Sequence, residues 1–147
     1  MKEVCSNIYQ YAREYAGITQ EQASEQLYIS VRALAGYEGG KVIPKDDIVL
    51  NMISVYKFTP LGYLHLQQTE IGKQILPGLS LDNISSQALR YTKETNDVMD
   101  CYRELQRITY DDVIDHHESD IWHGIMSEVK EQIQTGFNLM FSAEVWR

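Results

Sequence analysis

The stretch Thr19-Gln20-Glu21-Gln22-Ala23-Ser24-Glu25-Gln26-Leu27-Tyr28-Ile29-Ser30-Val31-Arg32-Ala33-Leu34-Ala35-Gly36-Tyr37-Glu38-Gly39-Gly40-Lys41 decides the fold. Thr19 is an N-cap residue, whose hydroxyl accepts from an otherwise unpaired backbone N–H of a first helical turn, and Gln22 three residues on completes a capping box. The helix so opened runs through Leu27. Tyr28-Ile29 makes a short turn, Ser30 caps a second helix to about Glu38, and Gly39-Gly40 closes it ahead of Pro44. Two helices joined by about three residues cross steeply, so the second projects from the surface and fits a major groove wide enough for one α-helix. Ala23, Leu27, Ile29, Leu34 and Tyr37 have the spacing to pack the pair together, which leaves Val31, Arg32, Ala35 and Gly36 outward.

Those four are the candidates for contact with base edges. A guanidinium binds guanine O6 and N7 bidentately, which makes Arg32 the first candidate, and Val31 suits a thymine methyl. Around the pair the pattern predicts a first helix over Ser6 to Ala16, with Ile8, Ala12 and Tyr15 inward and Gly17 as its stop. A fourth helix, Asp46 to Lys57, is expected to bury Ile48, Met52 and Ile53, with Tyr56 as a further candidate. A fifth starts after Thr59-Pro60 and carries Leu61, Leu64 and Leu66. Five short helices in this half make a compact bundle.

The run Thr19 to Leu27, with Ile29-Ser30, Leu34, Tyr37-Glu38, Gly40 and Pro44, resembles the phage repressor/Cro-type (Xre) helix-turn-helix family over roughly Ile8 to Leu66. The resemblance implies a sequence-specific DNA-binding transcriptional regulator in which Gln20 and Ser30 hold backbone phosphates and Lys41 does so from the following loop. Three positions depart from the family pattern. Gly36 falls where a polar reader is common and costs helix stability of up to about 1 kcal/mol. Tyr28 replaces the small or glycine residue usual at the turn, and Ala23-Ser24 reverses the expected large-then-small pair. The GYEGGK stretch is not a phosphate loop, because Ala35 occupies the required first glycine and Val42 stands in place of Ser or Thr.

The composition agrees with a small folded regulator. A chain of 147 residues with 44% hydrophobic content supports a core. It has no apolar run of about 18 residues and begins without the apolar stretch of a secretion signal, so a cytoplasmic location with no membrane partner is expected. Cys5 and Cys101 have neither CxxC nor Cys/His ligand spacing, and no cofactor motif occurs. The net charge of −8 is uneven: residues 1–70 carry six Lys and Arg against eight Asp and Glu, and residues 71–147 carry seven against thirteen. Broad affinity for nucleic acid is therefore not expected, only a local basic face. His116, His117, Asp120 and His123 have helical spacing, but the stretch reads as an exposed acidic helix start, and no metal site is assigned. No nucleophile, histidine and acid arrangement marks an enzyme.

Residues 71–79, with Gly72 and Pro77-Gly78, read as a connector between a domain over 1–70 and a second over 80–147. In the second, Ile84, Ala88, Tyr91, Thr95, Val98, Tyr102 and Leu105 alternate four and three, and Trp122, Met126, Val129, Ile133, Phe137 and Met140 keep the same period. Asp115 and Glu118 place the second helix's start near His116. The whole chain is thus expected to be all-α, a five-helix DNA-binding domain followed by a long antiparallel hairpin. One hairpin cannot hide both stripes, and Tyr91, Val98, Tyr102, Trp122, Val129, Ile133 and Phe137 are the expected contacts of a homodimer built as a four-helix bundle. Two-fold symmetry suits a repressor that occupies double-stranded promoter DNA. The alternative is an interaction module, a degenerate helix-turn-helix whose acidic hairpin binds a partner protein as an antitoxin or anti-repressor would; Gly36 and the net acidity favour it.

Overall fold

Asn7 opens the first helix by accepting, through its side-chain oxygen, from the backbone N–H of Tyr9 at 2.9 Å and of Gln10 at 3.4 Å. The computed structural model describes residues 7–145, so the expected start at Ser6, and Cys5, lie outside the described residues. Helix α1 spans Ile8–Tyr15 and buries Tyr9, Ala12 and Arg13. Its inward face is thus one residue on from the expected Ile8, Ala12 and Tyr15; Ile8 is half-buried and Tyr15 exposed. Polar tips with buried partners turn it: Arg13 reaches Glu38, and the Tyr9 hydroxyl meets His65 Nδ1 at 2.8 Å.

Helices α2 (Gln20–Leu27), α3 (Val31–Glu38), α4 (Asp46–Tyr56) and α5 (Pro60–Leu66) pack around Ala12, Ala23, Leu27, Leu34, Val49, Met52, Tyr56, Phe58 and Leu61. In α4 the buried row is Val49, Met52 and Tyr56, while Ile48 and Ile53 are half-buried. In α5 it is Leu61, Tyr63 and His65, with Leu66 exposed. His65 selects that face, because its Nε2 donates to Asp46 Oδ1 at 3.1 Å while Nδ1 meets Tyr9, tying α5 to α4 and α1. A sixth helix, α6 (Glu70–Ile75), occupies most of the stretch expected to be a connector. Thr69 starts it: its hydroxyl accepts from Gly72 N at 2.9 Å and donates to the Leu66 carbonyl at 2.7 Å. That turn is so tight that a Cβ on Gly72 would stand 1.8 Å from the Leu66 oxygen.

The chain divides into two units, one through Leu76 and one from Pro77. The second contains α7 (Ile84–Asp100), α8 (Tyr102–Ile108) and α9 (Ser119–Val145). Cys101 ends α7 and begins α8. The Asp115 carboxylate accepts from His117 N and Glu118 N, but residues 116–118 form a turn and α9 starts three residues later than expected. Helices α7 and α9 run antiparallel: Ser80 N donates to Asn138 Oδ1 at 2.8 Å, Gln134 Nε2 to the Gly78 carbonyl at 3.2 Å and Gln132 Nε2 to Thr95 Oγ1 at 3.3 Å. Among the described residues there is no strand, and the fold is all-α.

The seam between α7 and α9 differs from the apolar heptad reading. Its buried side chains are Gln87 and Glu94 on α7 and Ile125, Asn138 and Ser142 on α9, and Tyr91 packs its ring against Gly136. The α7 face is centred on Gln87, Tyr91, Glu94 and Val98, which rotates Ile84, Ala88 and Thr95 toward one flank. On α9 the row from Trp122 to Met140 is rotated in the same sense. Because the helices are antiparallel, equal rotations bring both rows to the same side of the hairpin. Of the expected dimer contacts, Tyr102 is 54% and Ile133 48% exposed, while Val98, Trp122, Val129 and Phe137 are half-buried and Tyr91 is used inside the hairpin.

Candidate nucleic-acid interface

The interface is built from two caps. Thr19 Oγ1 accepts from Gln22 N at 3.2 Å while Gln22 Oε1 accepts from Thr19 N at 2.9 Å, so α2 starts with both halves of the capping box in place. It ends at Tyr28, which takes the left-handed conformation (φ 55°) that glycine adopts more cheaply, and whose side chain is 95% exposed. Ile29 N donates to the Ser24 carbonyl and closes the turn. Ser30 Oγ then accepts from Ala33 N at 3.1 Å and starts α3, which ends where Lys41 N donates to the Gly36 carbonyl at 3.0 Å.

Helix α3 turns Leu34 and Glu38 into the core. Val31, Arg32 and Ala35 are exposed, and Gly36 is half-buried with nothing within 4 Å of the place a Cβ would take. Ser30 and Lys41 are also exposed, at either end of the same helix. The Ser30 hydroxyl, having accepted from Ala33, keeps its own hydrogen to donate. Gln20 has an intramolecular partner as well. It is half-buried and its Nε2 donates to Glu38 Oε2 at 2.7 Å, because a buried carboxylate accepts from every donor in reach; this places Gln20 as a tether between α2 and α3.

The anchor of that tether is an ion pair that the helical pattern alone does not disclose. Arg13 Nε donates to Glu38 Oε1 at 2.7 Å and its NH2 group to Oε2 at 3.0 Å, while NH1 donates to the Ile18 carbonyl at 2.8 Å. The Glu38 contact raises the Arg13 pKa further above its ordinary value. The Tyr56 hydroxyl, buried and without a hydrogen-bond partner, has its pKa pushed up by burial and then by the Glu38 charge. Arg13 is thus spent on the interior. The exposed cations of the described part of this unit are Arg32, Lys41, Lys45, Lys57 and Lys73, and the first three follow one another along α3 and the loop after it. In the sequence, nothing in the spacing of Lys45 separates it from a solvated lysine.

The histidine-rich stretch does not assemble. His116, His117 and His123 are exposed, and His123 Nδ1 donates to the Ser119 carbonyl at 2.6 Å. Among the described residues one set of three ligand-type side chains comes close, Glu94, Asp97 and Glu128, and Lys93 already bridges the first two at 3.0 and 2.8 Å.

A capped helix, a tight turn and a second helix whose exposed face is small and cationic define a helix-turn-helix domain of the DNA-binding, regulatory kind. Residues 10–64 match the family model described as helix-turn-helix, which supports the resemblance to the Xre/Cro-type family. Comparison with curated proteins and with solved structures finds no match. Among the described residues no helix is long and apolar enough to cross a membrane.

Proposed function

We propose that the protein is a sequence-specific transcriptional repressor that acts as a homodimer on a two-fold operator. The observation that carries this reading is the outward face of α3. Val31, Arg32 and Ala35 stand exposed on a helix whose buried side is locked to α1 and α2 through Glu38, with Ser30 and Lys41 flanking it. Arg32 would read a guanine edge, Val31 a thymine methyl, and Ser30 and Lys41 would hold phosphates. The dimer is supported by the apolar flank of the hairpin, where Tyr102, Ile133 and Met140 are exposed beside Trp122, Met126 and Val129. Repression would follow from occupying promoter DNA.

Selection of bound duplexes from a random pool with the purified full-length chain tests this. Enrichment of two related half-sites with centres about 10 base pairs apart, or a multiple of that, is the expected result. The net charge of −8 and the missing side chain at Gly36 favour a second reading, in which the domain no longer binds DNA and the acidic hairpin engages a partner protein. A pool that stays unenriched at low salt would overturn the first reading in favour of the second.

A further inference from the structure

Beside α3 lies an open groove of about 580 Å³, with Ser30, Arg32, Ala35, Gly36, Lys41 and Val42 among the residues lining it. We propose that this groove seats the sugar–phosphate backbone of one DNA strand and that Gly36 is the residue that opens it. The inference rests on the DNA-binding reading above and changes the part Gly36 plays, from a base-edge position to a passage for the strand.

Three observations carry it. The fold does not require glycine at position 36: the residue lies within a helix, its φ is not positive, and a Cβ would meet nothing within 4 Å. Glycine in a helix interior nonetheless shifts folding about fivefold toward the unfolded chain relative to alanine. What a side chain there would occupy is the groove itself. The second observation is charge. None of the lining residues is acidic, in a chain with 21 Asp and Glu, and two of them are cations. The third is chemistry: Lys41 and the free hydrogen of the Ser30 hydroxyl suit phosphate oxygens, whereas Ala35 and Val42 suit the apolar face of a deoxyribose. The groove is also far larger than one methyl group of a base would fill.

The test uses the full-length chain with the selected duplex, an unrelated duplex, and copies of the selected duplex in which single phosphates are replaced by neutral methylphosphonates. Gly36→Leu should weaken binding to both natural duplexes by about tenfold or more, the loss of a hydrogen bond to a charged group, with its base preference unchanged. Gly36→Ala should raise the thermal midpoint and weaken both duplexes less. One methylphosphonate should cost the parent chain affinity and cost Gly36→Leu nothing more. Unaltered binding by Gly36→Leu, or an altered preference at one base pair with unrelated DNA held as before, would overturn the proposal. If Gly36→Leu melts early, Gly36→Ala decides by the same criteria. A parent chain that binds no duplex refutes the DNA reading itself, a result distinct from either.

Discussion

Arg13 and Glu38 meet side by side in the interior of the first unit, Nε on Oε1 at 2.7 Å and NH2 on Oε2 at 3.0 Å, and the same carboxylate takes the Gln20 amide at 2.7 Å. One acid therefore joins three helices. Glu38 is the last residue of α3, so the helix offered to DNA is held at its far end by charge and at its start by the Ser30 cap.

Removing one partner strands the other. Glu38→Ala should destabilise the first unit by about 3–5 kcal/mol, the cost of an uncompensated buried charge, whereas Arg13→Met combined with Glu38→Leu should recover much of the loss. Chemical denaturation of the full chain followed by circular dichroism measures this. Trp122 lies on α9 in the second unit, so the burial of its indole reports that unit and should be unaffected.

Arg32 and Lys41 should fail in different ways. Arg32→Ala is expected to cost about 1–3 kcal/mol and to relax preference at one base pair of each half-site, while Lys41→Ala weakens all sequences alike and reduces the salt slope by about one. Titrations of both variants on specific and unrelated duplexes at several salt concentrations separate the two. An Arg32→Ala variant that selects the same sequence with the same affinity would remove Arg32 from base reading.

In the proposed homodimer the apolar flank of the hairpin is the contact surface. Light scattering of the full chain should give twice its 17.0 kDa mass. Ile133→Asp places a charge on the exposed flank, away from the α7–α9 seam, and should return the chain to a monomer with its helix content intact. A parent chain that scatters as a monomer would contradict the dimer.

Alkaline stability follows from the buried phenols. Burial pushes the Tyr9 hydroxyl up to about 12 from its ordinary 10.0 and moves Tyr63 in the same direction. The folded state keeps its proton to higher pH than the unfolded state, so this stabilisation is complete below pH 10 and is lost as pH rises from 10 toward 12. Tyr9→Phe should flatten that part of the profile, while losing about 1 kcal/mol at neutral pH with the His65 hydrogen bond. Thermal midpoints of both proteins across this range check it.

The parts of this molecule that the sequence discloses are those settled by chemistry within four residues. Thr19 with Gln22, and Ser30 with Ala33, are caps whose donors and acceptors are near neighbours, and from them the outward direction of Val31, Arg32 and Ala35 follows. What stays hidden depends on partners far away in the chain. Arg13 and Glu38 are 25 positions apart and Tyr9 and His65 are 56 apart, and each pair turns a helix face that apolar spacing alone would set differently. The hairpin seam differs from its apolar pattern for a related reason. Apolar periodicity points both rows inward, but beside Ile125 the enclosed side chains are Gln87, Glu94, Asn138 and Ser142, and the apolar rows lie on the flank. Helix α6 leaves no periodic signal, because six residues hold too few turns to show one.

An arm-to-arm contact made only of interchangeable aliphatic residues tolerates sliding, since each heptad looks much like the next. Helix α9 has no such freedom against α7 and the segment that leads into it. Shifting α9 by one repeat would part Asn138 from Ser80, Gln134 from Gly78 and Gln132 from Thr95 together, and would carry Gln87 and Glu94 to new enclosed neighbours. These polar groups act as a vernier: three marks coincide at one setting and at no other. The flank beside them is therefore presented with an invariant order and spacing of side chains, and any surface that docks there meets the same template in every copy.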